Sequence, residues 1–201
     1  MEHCLIADPL PAEALGRPIR TDYRAFVRFE AAMLRAKDDQ AAGPLIQKAL
    51  RDTGLPAGSQ TERSFEALLW FYRGGREPPD ASGSAPRPEL AFDYILDGPQ
   101  IAAAFQSAYG LDLTAPSTTL HWWRFQALLQ GLPDECRFCR VVGWRTADLT
   151  GMKGKQLAFY QSMKTKFALP ADLGGEKRVY ASKADWDAAF IARLKRSAAR
   201  K

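Results

Sequence analysis

Apolar residues recur every three or four positions along most of the chain, which is the spacing of amphipathic α-helices. The densest apolar segment reads TLHWWRFQALLQGLP and contains Trp122, Trp123 and Phe125 within four positions. Its apolar residues fall on two opposite sides of a helix, which is typical of a central helix packed from more than one direction. The final Gly-Leu-Pro predicts where this helix ends.

The helical pattern and its interruptions predict an all-α fold: a multi-helix orthogonal bundle of about seven to eight helices with a flexible Pro/Gly-rich linker in its middle. The linker contains four prolines and three glycines but no large apolar residue, so it has nothing to bury. The predicted segments are an irregular N-terminal arm at 1–20, an N-terminal helical part at 21–73, the linker at 74–89, a C-terminal helical part at 90–170 centred on 119–131, and a basic C-terminal helix at 171–201.

Local signals predict where several helices begin. Pro44 suits a first turn, because proline at that position loses no intrahelical hydrogen bond. Ser59 and Glu62 form a capping-box pattern before the third helix. Asp97 and Asp134 each precede an apolar helical pattern and are predicted N-caps. These proline and capping positions predict four of the helix starts.

Charge is distributed unevenly along the chain. The net charge is +5, and residues 176–201 alone contain eight basic and three acidic residues. Residues 1–175 therefore hold twenty of each sign and balance to zero. A basic terminal helix would suit an acidic partner, a nucleic acid or a membrane surface, but a docked helix with solvated charges is the favoured interpretation. Because residues 1–175 have no net charge, they give only weak support for nucleic-acid binding.

Composition narrows the class of protein. Hydrophobic residues make up 46% of the chain and aromatic residues 11%, as in globular proteins. No apolar run approaches the length of a membrane span, and the N-terminus has no basic region ahead of its apolar residues. The three cysteines have no spacing typical of a disulfide framework. These features predict a protein of a reducing cytoplasm.

Chemistry-bearing motifs are few. Cys136 and Cys139 form a C-x-x-C, but a zinc site needs four ligands and a redox motif needs a βαβ context, so two packed thiols are the favoured interpretation. His121 lies between bulky apolar residues and is predicted to be a satisfied, partly buried imidazole. There is no phosphate-binding glycine loop and no nucleophile motif. The sequence therefore predicts no enzyme, no cofactor and no metal.

Four segments together resemble the bacteriophage Gp15 family of siphophages and prophages. They are LLWFYRGG at 68–75, FDYILDGPQIAAAFQSAYGLDL at 92–113, LHWWRFQALLQGLP at 120–133, and CRFCRVVGWRTADLTGMKGKQLAFYQSMKTKFALP at 136–170. The likeness covers about residues 23–170. The segment beyond Pro170 is not part of the pattern.

The resemblance implies a role in phage tail morphogenesis. A tail assembly chaperone that binds the tape-measure protein is the expected function, with a minor structural tail protein, or a nucleic-acid-binding protein acting through the basic C-terminal helix, as alternatives. The major tail protein and a second copy of the chain are further candidate partners. A tail assembly chaperone is not expected to bind nucleic acid or a membrane. Its expected location is the host bacterial cytoplasm.

Four residues are candidates for partner binding: Trp70, Trp122, Trp144 and Arg145. Tryptophan and arginine are enriched among the residues that contribute most to binding energy at protein interfaces. Each tryptophan also suits the core, which is the commoner place for it, so only the tertiary structure can separate these two interpretations.

Overall fold

The computed structural model describes residues 5–36, 39–76, 90–171 and 173. Within these residues helices are the dominant secondary structure, beside one small two-stranded hairpin, which confirms the predicted all-α class. Residues 77–89 of the predicted linker, and residues 172 and 174–201 of the predicted C-terminal helix, lie outside the described residues. The described helices are α1 Tyr23–Arg35, α2 Asp39–Thr53, α3 Thr61–Tyr72, α4 Gly98–Tyr109, α5 Trp122–Gln130, α6 Arg137–Thr146 and α7 Gly154–Lys166, with a 3₁₀-helix at Gly58–Gln60.

The chain divides into two compact units. The described part of the first unit contains α1, α2, α3 and residues 119–126, and that of the second contains residues 90–118, 127–171 and 173. The sequence predicts the whole of 119–131 at the centre of the C-terminal part. Residues 119–126 belong instead to the unit formed by the N-terminal helices, because the indoles of Trp122 and Trp123 bind the end of α3.

The core of the first unit is a stack of aromatic rings. Phe26 stacks on Phe71 with ring centroids 5.4 Å apart, and on Trp122 at 5.2 Å. Tyr23 stacks on Phe125 at 4.8 Å. All five side chains are buried, and α2 packs against both α1 and α3. The aromatic residues that dominate the sequence pattern are thus the interior of this unit.

Two helices of the first unit begin elsewhere than the local signals predict. α2 begins at Asp39, so Pro44 lies inside the helix and not in its first turn. The missing proline N–H removes one bond, to the carbonyl of Gln40 near the helix start, where the loss disturbs few neighbouring bonds. α3 follows a 3₁₀-helix and has Gln60 as its N-cap, so the predicted capping box of Ser59 does not start it.

The predicted irregular arm contains a small hairpin. Strand β1, Glu13–Ala14, pairs antiparallel with strand β2, Arg17–Pro18. The two connecting residues have positive φ angles, 49° at Leu15 and 72° at Gly16. Such a turn matches the twist of the flanking strands and is usually built from asparagine and glycine. Leucine at the first position is therefore a strained choice.

The second unit contains three packed helices. α6 packs against both α4 and α7. Phe105 and Val141 are fully buried, and Phe92 meets Phe138 edge-on with centroids 5.5 Å apart. α7 differs from the other helices, because none of its thirteen residues is buried. No helix among the described residues of the chain is long and apolar enough to cross a membrane.

Candidate interaction surface

The carboxyl end of α3 is closed by two glycines. Gly74 N donates to Phe71 O at 3.0 Å and Gly75 N donates to Trp70 O at 3.0 Å, which is the pair of bonds that defines a Schellman motif. Both glycines have positive φ angles, 72° and 76°. A Cβ atom on Gly75 would lie 2.8 Å from Trp123 Cη2. Both glycines of LLWFYRGG are therefore favoured by their backbone conformation, and Gly75 is also required by space.

Two indoles complete the same helix end. Trp122 Nε1 donates to Tyr72 O at 2.8 Å, and Trp123 Nε1 donates to Phe71 O at 2.7 Å. Gln126 Nε2 also donates to Tyr72 O, at 3.1 Å. The last carbonyls of a helix have no partner within it, and here Tyr72 O is satisfied by Trp122 and Gln126. Trp123 adds a further donor to Phe71 O, which Gly74 N also reaches. The LHWW segment thus caps α3.

Two of the partner-binding candidates lie at this helix end. Trp122 is only 1% exposed and is used inside the unit, so its side chain is not on the surface. Trp70 is half-buried and meets Trp123 edge-on, with centroids 5.7 Å apart. Trp70 therefore keeps some exposure while it covers the capped end of α3.

His121 fixes the start of α5. Its Nδ1 accepts from Trp123 N at 3.1 Å, and its Nε2 lies 2.9 Å from Pro11 O. Because a carbonyl can only accept, this network assigns the proton to Nε2. The satisfied, partly buried imidazole predicted from the sequence is confirmed.

Arg145 is the centre of a buried network in the second unit. Its guanidinium forms a two-bonded fork with the carboxylate of Asp97, with Nη1–Oδ2 at 2.6 Å and Nη2–Oδ1 at 2.9 Å. Nη1 also donates to Ala91 O at 3.3 Å, and Nε donates to Phe167 O. Arg145 is 9% exposed. This candidate therefore joins three segments of its own unit rather than presenting its charge to a partner.

The fork explains why Asp97 does not act as predicted. Asp97 is the N-cap of α4 by position, but its side chain makes no capping bond. Its carboxylate binds Arg145 and accepts from Asp93 N at 3.0 Å. A buried carboxylate gains more from a guanidinium fork than from one backbone N–H, because the fork also neutralises its charge.

The C-x-x-C motif is part of a helix start. Cys136, not the predicted Asp134, is the N-cap of α6, and its Sγ accepts from Cys139 N at 3.4 Å. Cys139 Sγ donates to Leu132 O at 3.8 Å. Burial, and then the hydrogen bond to Cys136, raise the pKa of the Cys139 thiol to about 11. Across the described residues, His, Cys, Asp and Glu form no group of three that could hold a metal ion.

Helices α6 and α7 present a group of partly exposed rings. Trp144 stacks on Phe167 with centroids 5.2 Å apart and meets Phe159 edge-on at 6.5 Å. Trp144 and Phe167 are half-buried, and Phe159 is 48% exposed. Of the four partner-binding candidates, Trp144 is the one that belongs to an exposed aromatic group.

Cations lie against these rings. Arg140 Cζ is 5.2 Å from the centroid of Trp144, Arg137 Cζ is 5.8 Å from that of Phe167, and Lys166 Nζ is 5.6 Å from the same ring. These distances fall within the range of cation–π attraction. We define the aromatic–basic surface as Arg137, Arg140, Trp144, Phe159, Lys166 and Phe167.

One family model matches residues 13–169, which is most of the chain; it is described as Bacteriophage Gp15 protein. The chain belongs to the bacteriophage Gp15 family. Membership makes it a phage structural or morphogenesis protein. Neither the curated proteins nor the solved structures contain a match.

The segments that carry the Gp15 resemblance contact one another within each unit. In the first unit, the indoles of LHWW bind the carbonyls of LLWFYRGG. In the second, Arg145 of the GWR element joins Asp97 of the FDYILDG element to Phe167, next to the final Ala-Leu-Pro. These residues are accounted for by folding. Phe159, by contrast, leaves 48% of its surface exposed.

The high positive charge of the segment that carries the aromatic–basic surface was not predicted from the sequence. Between Arg137 and Lys166 there are seven basic residues and one acidic residue, Asp148, so this segment carries +6. Because residues 1–175 balance to zero, the remainder of that range carries −6. A net charge calculated over successive windows of about thirty residues, the length of a helix pair, would have identified this basic cluster. The net charge over 1–175 does not show it, because the rest of that range is acidic.

Proposed function

We propose that this Gp15 family protein is a non-catalytic tail assembly chaperone that binds the tape-measure protein during tail morphogenesis. The observation that supports this proposal best is the aromatic–basic surface on α6 and α7, in which the exposed ring of Phe159 lies on α7, a helix with no buried residue. A helix pair with exposed rings is suited to receive an amphipathic helix from another protein. Family membership supplies the setting, phage morphogenesis.

The role follows from the problem that a tape-measure protein poses. A long helical chain with apolar faces aggregates until tail-tube subunits polymerise around it. A chaperone holds it in solution by covering those faces and must then release it. Such a function needs an exposed apolar anchor and a polar rim, and the aromatic–basic surface contains both.

Co-expression with the tape-measure protein encoded nearby tests the proposal. We expect the tape-measure protein to become soluble and to co-elute with this protein from an affinity column. Expression of the tape-measure protein alone, and with an unrelated helical protein, provides the controls. If it remains insoluble in all three cases, the chaperone proposal fails.

Mass spectrometry of purified particles separates the chaperone from a minor structural tail protein. A chaperone is absent from the finished particle, whereas a structural protein is present in a fixed ratio to the major tail protein. The nucleic-acid alternative predicts DNA binding that weakens steeply with salt and is lost when residues 176–201 are deleted. The major tail protein and a second copy of the chain can be detected as additional partners in the same pull-down.

A further inference from the structure

We propose that the aromatic–basic surface is the docking site and that its occupant is an amphipathic helix whose apolar stripe is flanked by acidic residues. The inference rests on the proposed function in one respect: the tape-measure protein is expected to carry such a helix. The docking site and the chemistry of its occupant rest on the residues of α6 and α7 and on Phe167 alone.

The apolar part of the site is a stripe on α7. Phe159 and Met163 in α7 and Phe167 directly after it recur at intervals of four residues, which places them along one side of the helix. Trp144 contacts the rings of Phe159 and Phe167. Phe159 leaves 48% of its surface in water. A phenylalanine that is fully buried removes a large apolar area from water, so covering this ring is a substantial source of binding free energy. The stripe spans two helical turns, which matches the anchor spacing of a docked helix.

The charge of the site selects an acidic occupant. Arg137, Arg140 and Lys166 are exposed and lie beside the rings, and Lys153 and Lys155 are exposed at the start of α7. The rings of Trp144 and Phe167 therefore each have at least one cation within cation–π distance. Complementary charges around an apolar centre increase the rate of association and exclude partners of the wrong sign.

The surface favours a helix over a nucleic acid. Trp144 and Phe167 stack on each other, and their faces also receive Arg140, Arg137 and Lys166. Stacking of a base requires a free aromatic face. The chain's own segment at 176–201 is also an unsuitable occupant, because it carries +5 and would be repelled by a surface of the same sign.

Charge reversal tests the site in the co-expression assay. The triple variant Arg137→Glu, Arg140→Glu and Lys166→Glu is expected to reduce recovery of the soluble tape-measure protein by about tenfold or more. The matched control reverses Arg28, Arg51 and Arg63, which are exposed residues of the first unit, and gives the same change in net charge. Circular dichroism and thermal unfolding establish that both variants are folded.

A second variant keeps every charge. Phe159→Ser removes the exposed ring and is expected to weaken binding by about tenfold. Ile95→Ser is its control, because Ile95 is an exposed apolar residue of the same unit, outside α6 and α7, and is 58% exposed. Equal binding by Phe159→Ser and Ile95→Ser would overturn the assignment of Phe159 as an anchor.

Synthetic peptides test the occupant independently of the tape-measure protein. The probes are two labelled helical peptides with the same leucine stripe, one flanked by glutamates and the other by lysines, and a 20-base-pair DNA duplex. We expect fluorescence anisotropy to show about tenfold tighter binding of the glutamate peptide, lost in the charge-reversed triple variant. Equal binding of the two peptides, or binding of the DNA alone through the same residues, would overturn the proposal.

The two assays separate the two proposals. If the wild-type protein does not solubilise the tape-measure protein but binds the glutamate peptide through this surface, the proposed function fails and the docking site stands. If it solubilises the tape-measure protein and the charge-reversed variant does so equally, the function stands and the docking site fails.

Discussion

The indole nitrogen of Trp122 donates to the carbonyl oxygen of Tyr72 at 2.8 Å, and this bond joins α5 to the end of α3 across fifty residues of sequence. Both side chains are buried, and their rings stack with centroids 5.6 Å apart. A helix end inside a core needs external donors, and α5 supplies them from its first turn. This contact explains why residues 119–126 belong to the first unit.

Replacement of Trp122 by phenylalanine should lower the free energy of unfolding by about 1–3 kcal/mol, because a buried carbonyl loses a donor and a cavity remains. Gln126 Nε2 still reaches Tyr72 O, so the loss should lie below that of Trp122→Ala. Urea unfolding of both variants checks the order. Trp144→Phe is the control, and a loss as large as that of Trp122→Phe would contradict the capping role.

Gly75→Ala should destabilise the protein by about 1–3 kcal/mol, since the new Cβ would meet Trp123 at 2.8 Å in a backbone with φ of 76°. Gly143→Ala provides a matched control. Gly143 lies within α6 with no atom close enough to obstruct a Cβ, so alanine there should stabilise the helix by up to about 1 kcal/mol. Thermal unfolding should therefore move in opposite directions for the two variants.

Leu15→Asn should raise the melting temperature. Leu15 has a φ of 49° and is 58% exposed at the tip of the hairpin, so asparagine relieves backbone strain without emptying a core. The expected gain is about 0.5–1 kcal/mol. Leu15→Ala is the control, because alanine removes the exposed side chain but has no preference for positive φ. Equal melting temperatures for the two variants would exclude strain at this turn.

Arg145→Met should destabilise the second unit by about 3–5 kcal/mol, because it leaves the buried carboxylate of Asp97 without its partner. The double variant Arg145→Met with Asp97→Asn should recover part of that loss, since the uncompensated charge is removed. Equilibrium unfolding of the single variants and the double variant measures the coupling. Additive losses would show that the fork contributes little beyond packing.

The Cys139 thiol should make stability fall at alkaline pH. Its pKa is raised from 9.0 to about 11 in the folded protein, so between these values the unfolded chain releases its proton first. The folded state then binds more protons, so the free energy of unfolding decreases as pH rises from about 9 to about 11. Below that range the thiol is protonated in both states and adds no pH dependence to the free energy of unfolding. Urea unfolding from pH 7 to 10.5 measures the slope, which should be smaller in Cys139→Ala. The same raised pKa predicts slow alkylation of native Cys139 by iodoacetamide at pH 8.

Local sequence signals predicted the helices well and their starts less well. The helix from about 23 to 36 and the one from Asp97 to Tyr109 occur within a residue or so of the predicted limits, because apolar periodicity reflects the helix itself. Asp97 is the N-cap of α4 as predicted but its side chain makes no capping bond, and Asp134 is not the N-cap of α6. Asp97 is bound by Arg145, and Cys136 takes the cap position of α6. A local cap is one interaction among several, and tertiary partners compete for the same side chain.

By itself, the sequence determined the all-α class, the helical segments, the glycines that end helices and the Gp15 resemblance, since each depends on residues close together in the chain. Only the tertiary structure decided that Trp122 and Arg145 are internal, that Trp144 borders an exposed ring, and that LHWW serves α3. Those outcomes depend on which distant carbonyl or carboxylate approaches each side chain, and spacing along the chain carries no information about that approach. The charge of α6 and α7 was present in the sequence, but its meaning required knowing that Phe159 stays exposed beside it.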